Sequence, residues 1–71
     1  MNFNERLKKI KYDRRLTNLQ IAEMSGVSET AVRKWINGAM PSGDILLRIA
    51  DELECSTDYL LGRTDNPDVN R

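Results

Sequence analysis

"TNLQIAEMSGVSETAVRKWING", residues 17–38, decides how this chain folds. Thr17 and Gln20 stand in capping-box spacing, so a helix starts near Asn18. Ile21 and Ala22 face inward, and Gly26 ends the helix, because glycine tolerates the positive φ of a helix C-terminus. Two residues later Ser28 offers a second N-cap, and a further helix runs from about Glu29 to Ile36 with Val32 and Trp35 inward. Asn37-Gly38 stops it. The chain thus closes one short helix and opens another across a turn of about three residues.

That spacing sets the packing. Ala22 is small where two helices nearly touch. Gly26 supplies the turn conformation, and Val32 wedges the second helix onto the first. Helix, tight turn and helix in this arrangement form a helix-turn-helix pattern. In that motif one helix crosses a phosphate backbone and the next places its N-terminal residues in the major groove.

Outward from this centre the chain is helical throughout. Phe3, Leu7 and Ile10 recur at i, i+4 and i+7 between charges, which predicts an amphipathic helix over residues 3–14, capped by Asn2 with Glu5. After a loop containing Pro41, Ser42 is expected to cap a fourth helix over about 44–54, with Ile45, Ile49, Ala50 and Leu53 inward and Leu46 beside them. Ser56 caps a short fifth helix, Thr57 to Leu61, closed by Gly62. No strand-like alternation or internal repeat occurs. The expected fold is all-α, a compact five-helix domain over residues 1–62. Residues 63–71, "RTDNPDVNR", read as a polar tail, disordered or the start of a linker.

Bulk properties narrow the function. Seventy-one residues make one small domain. The single cysteine cannot form an intramolecular disulfide, and the absence of histidine removes the usual thiolate–histidine metal sites. No apolar run approaches the roughly 20 residues needed to span a bilayer. The expectation is a cytoplasmic protein without membrane, metal or cofactor. Catalysis has no support: there is no nucleophile–base pair and no glycine-rich phosphate loop.

Net charge is zero, but its distribution is not even. Residues 1–16 carry six cations (Arg6, Lys8, Lys9, Lys11, Arg14, Arg15) against Glu5 and Asp13, a net +4. Residues 17–42 balance, and residues 43–71 carry three arginines against seven acids, a net −4. A basic first part and an acidic end point to an interaction surface.

The segments "RLKKIKYDRRLTNLQIAEMSGVSETAVRKWING", "PS" and "LLRIADELECSTDYLLG" follow one another in the order of a known pattern. The chain resembles the phage repressor and Cro-type, or xenobiotic-response-element (XRE), helix-turn-helix family over about residues 3–62. The resemblance implies a repressor-type domain that binds an inverted-repeat operator on double-stranded DNA as a homodimer, in a bacterial or phage setting. Three departures stand out. Asn18 replaces a glutamine that contacts a phosphate and braces the recognition helix. Ile36 replaces a glutamate, which leaves Lys11 without its usual partner. The loop before Pro41-Ser42 is one residue shorter than its commonest form.

The resemblance also assigns roles. Glu29 and Thr30 open the recognition helix at base-reading positions: Glu can accept from cytosine N4, and Thr can bond either way or touch a thymine methyl. Glu29 has an equal structural reading, favouring the helix N-terminus and pairing with Arg33. Lys34 matches a base-contacting position, and Arg33 can reach a guanine or a phosphate. Thr17, Asn18, Ser28, Asn37, Ser42 and Lys11 are the expected phosphate contacts, several of them also caps. Trp35 reads as core rather than a stacking platform, and Cys55 as a small buried apolar residue. Leu19, Met24, Ile36 and Met40 are apolar where similar proteins are often polar. They motivate an alternative, an antitoxin-like or anti-repressor-like module that holds a protein partner.

Overall fold

Asn2 accepts a hydrogen bond from Glu5 N while the Glu5 carboxylate accepts from Asn2 N, and this capping box starts α1 (Phe3–Asp13). The computed structural model describes residues 1–68. α2 (Asn18–Ser25), α3 (Glu29–Ile36), α4 (Gly43–Glu52) and α5 (Thr57–Leu60) follow, and no strand occurs among the described residues. The expected all-α, five-helix architecture is present. Helix ends differ from the sequence expectation by one or two residues, mainly at α4.

The three expected caps at Asn2, Thr17 and Ser28 all form, as does the one at Ser56. Ser42 departs from expectation. It holds the N-cap position of α4 with extended backbone, but its side chain makes no capping bond. Gly43 occupies the first helical position instead, and Leu46 N bonds the Ser42 carbonyl at 2.9 Å.

All five helices end in the same way. After each one, a residue of positive φ is followed by a residue whose N–H reaches back five positions: Leu16 to Lys11, Val27 to Ala22, Ala39 to Lys34, Cys55 to Ala50, and Arg63 to Asp58. These are Schellman closures. Glycine fills the positive-φ position in three of them, but Arg15 (φ 54°) and Glu54 (φ 55°) fill the other two. A side chain there costs roughly 1–2 kcal/mol. Glu54 also sets a carboxylate at the negative end of α4. Glu54→Gly is therefore expected to raise stability by about 0.5–1 kcal/mol, after the entropy of the unfolded glycine is subtracted. In a thermal melt this is a rise of a few degrees.

The core collects Phe3, Leu7 and Ile10 from α1, Ile21 and Ala22 from α2, Val32 and Trp35 from α3, and Ile49, Ala50, Leu53, Cys55 and Leu60 from the last third. Phe3 and Trp35 meet edge to face at 6.4 Å between centroids, which is favourable for ring quadrupoles. Cys55 is buried, and burial pushes its thiol up, so it behaves as the expected small apolar residue. Ile45 and Leu46 are only half-buried at the rim of the core.

Asn4 ties α1 to α3. Its side-chain amide donates to the carbonyls of Trp35 and Ala39, two acceptors at the C-terminus of α3. Asn4→Ala removes both bonds and is expected to cost about 1–2 kcal/mol, measurable as a shift in the urea midpoint.

The segment after Gly62 does not leave the domain at once. Arg6, counted above with the basic surface, is 2% exposed. Its guanidinium lies 4.0 Å over the Tyr59 ring and donates to Thr64 O at 3.0 Å and Asp65 Oδ1 at 3.2 Å. Ser56 N bonds Pro67 O at 3.0 Å. Residues 63–67 are thus tied to α1 and α5, where the sequence pattern favoured a free tail. The reason is the buried cation, which needs acceptors that the helices do not supply. Residues 69–71 of that tail lie outside the described residues.

Candidate nucleic-acid interface

Gly26 has φ 70° and ψ 30° and turns α2 into α3. A residue the sequence pattern did not single out holds the turn. Arg48 of α4 donates from Nε to Met24 O at 3.1 Å, and its guanidinium covers Gly26. A Cβ on Gly26 would stand 2.9 Å from Arg48 Nη1. The positive φ is what requires glycine here, since the Arg48 tip can move aside.

Val32 (0% exposed) and Trp35 (5%) anchor α3 to the core. Helical geometry then fixes what the opposite face carries. Thr30, Arg33, Lys34 and Asn37 are exposed, and Glu29 is half-exposed. Thr30, Lys34 and Asn37 recur at i, i+4 and i+7 and form one outward stripe. Glu29 and Arg33 form the stripe beside it and pair at 2.6 Å. The structural reading of Glu29 is therefore realised in the free protein. An exposed pair of this spacing contributes only about 0.3–0.5 kcal/mol, so either member can be released on binding at little cost.

The expected phosphate-contacting residues differ in what they have free. Thr17 Oγ1 accepts from Gln20 N at 3.0 Å, and Gln20 Oε1 accepts from Thr17 N at 2.8 Å. The Thr17 hydroxyl proton stays available to a phosphate. Ser28 is similar, accepting from Ala31 N at 3.2 Å. Ser42 is exposed and its oxygen caps nothing. Asn37 is exposed at the C-cap of α3. Asn18 is half-buried, and its Oδ1 has no donor among the described residues. The brace that a longer glutamine could provide is not made. Lys11 is half-buried and makes no ion pair among the described residues, while Ile36 packs against the core.

Each of α2 and α3 thus presents a capped N-terminus with a hydroxyl beside it and the positive end of the helix dipole behind it. The residues that hold this arrangement in place, Arg48 and Asn4, give no sequence signal. A lone arginine and a lone asparagine on exposed helix positions read as solvated residues.

Two of the four scattered apolar residues also resolve differently. Met24 and Ile36 pack against the core. Leu19 and Met40 remain exposed, and Leu47, not singled out in the sequence, joins them at 56%. No helix among the described residues is long and apolar enough to cross a membrane.

Comparison with known proteins agrees with this geometry. The helix-turn-helix family profile matches residues 7–60, most of the chain, including α2, the turn and α3 whole. No curated protein matches the chain. With a capped helix pair joined at Gly26 and the family match running from Leu7 in α1 through α5, the chain belongs to the XRE-type helix-turn-helix family of DNA-binding transcription regulators.

Proposed function

We propose that this protein binds a specific inverted-repeat operator as a homodimer and represses transcription there. The observation that carries this reading is the outward stripe Thr30, Lys34 and Asn37 on α3, directly opposite Val32 and Trp35. Thr30 and Lys34 offer one hydroxyl and one cation to base edges, with the Glu29–Arg33 pair alongside. Thr17, Ser28, Asn37, Ser42 and Lys11 hold phosphates and set the register, and Asn18 contributes through its amide. With zero net charge, affinity for arbitrary DNA should be weak, so specificity rests on α3.

A reading centred on a protein partner has less support. Met24 and Ile36 are packed against the core, and the exposed Leu19, Met40 and Leu47 lie on α2, on the loop before α4 and on α4. The test is a selection from random duplex DNA. The expected product is an inverted repeat whose half-sites lie about one helical turn, ~34 Å, apart. A well-folded protein that enriches no sequence at low salt would remove the operator reading.

A further inference from the structure

The positive charge of residues 1–16 is not spread evenly around α1. Arg6 is buried against Tyr59 and Thr64, and Lys9 is paired with Asp13 at 2.7 Å. Lys8, Lys11, Arg14 and Arg15 make no ion pair among the described residues. Three of these four line one open surface depression together with Tyr12, Asp13 and Leu16. Lys8, Lys11 and Tyr12 follow i, i+3 and i+4 spacing on α1 and share one face, and Arg15, just past the helix end, lines the same depression. Asp13, the acid of the depression, is already neutralised by Lys9. Tyr12 is large, aromatic and 84% exposed beside these cations.

Two further observations locate the depression. Arg15 sits at the positive-φ position after α1, as Glu54 does after α4, which sets its cation at the corner between α1 and α2. Arg15 also stands two residues before Thr17, the N-cap of α2. The depression therefore adjoins the helix end that, in this motif, meets the DNA backbone.

We propose that Lys8, Tyr12 and Arg15 form a second phosphate-binding surface, which holds the DNA backbone outside the half-site read by α3. The occupant is a phosphodiester strand: the two cations Lys8 and Arg15, with Lys11 alongside, match its charge, and the Tyr12 hydroxyl can donate to its oxygens. This inference rests on the operator reading above. It predicts that the protein grips a longer duplex than its base-reading residues need.

The experiment measures binding of Lys8→Gln and Arg15→Gly to two duplexes. One ends at the outermost selected base pair, and the other is extended by about half a helical turn at each end. The parent should prefer the extended duplex. Each variant should lose that preference, bind the short duplex like the parent, and show a salt slope on the extended duplex lower by about 1 for each phosphate contact removed. Arg15→Gly should also melt higher than the parent, because the strain at φ 54° is relieved. A gain in stability together with a loss of DNA affinity separates a contact role from a folding role. Parent-like binding of both variants to the extended duplex overturns the proposal. So does an equal loss on both duplexes. A parent that binds neither duplex overturns the operator reading itself, and this inference with it.

Discussion

Gly26→Val is expected to lower the stability of the domain markedly. A β-branched residue at φ 70° costs roughly 1–2 kcal/mol in backbone strain. The new Cβ also meets Arg48 Nη1 at 2.9 Å, and the exposed guanidinium must shift, which weakens its bond to Met24 O by roughly 0.5–1 kcal/mol. The total, about 1.5–3 kcal/mol, is a large share of what a domain of this size holds, on the order of 0.05–0.15 kcal/mol per residue. The measurement is a thermal melt beside the parent protein. Gly26→Val should melt several degrees lower. An unshifted melt for Gly26→Val would contradict the turn geometry described above. Ala22→Leu tests the same junction from the α2 side and should cost about 1–3 kcal/mol through overpacking.

The second large effect concerns binding and should leave the fold alone. Thr30→Ala and Lys34→Ala each remove a side chain that points away from the core. Each should weaken binding to the selected operator by about 1–3 kcal/mol with melts unchanged. The two substitutions also differ in kind. If Lys34 bonds a base, its loss relaxes preference at one base pair. If it bonds a phosphate, its loss weakens all sequences alike and lowers the salt slope by about 1. Binding curves that match the parent for both variants would remove α3 as the reading element. Releasing Arg33 from Glu29 adds a useful comparison, since that exposed pair is cheap to break.

Much of this structure was legible in the sequence, and for local reasons. Capping boxes at Asn2 and Thr17 and the caps at Ser28 and Ser56 depend only on neighbours three residues away. Glycines 26, 38 and 62 mark helix ends because few other residues take positive φ cheaply. The inward stripe of each helix follows from period 3.6. What escaped was either non-local or lacked its usual residue. Arg15 and Glu54 close helices without glycine, so the α1 and α4 ends carry no stop signal. Asn4, Arg48 and Arg6 act across 24 to 58 positions of sequence, onto Trp35, Met24 and Thr64. Charge counting placed Arg6 on the surface because a buried arginine is uncommon, and only the Tyr59 ring and the returning segment 63–67 make it tolerable. In the interface the element was legible and the state of its residues was not. Position on α3 singles out Glu29 and Thr30 equally, whereas the 2.6 Å pair sets Glu29 apart.

The most direct test of sequence-specific recognition compares two duplexes of equal length and composition at one salt concentration. One carries the selected inverted repeat, and the other the same bases scrambled. Sequence-specific recognition through α3 predicts a ratio of dissociation constants on the order of 10³ or more, with the difference reduced in Thr30→Ala. A ratio near one, from protein with an intact melt, would contradict it.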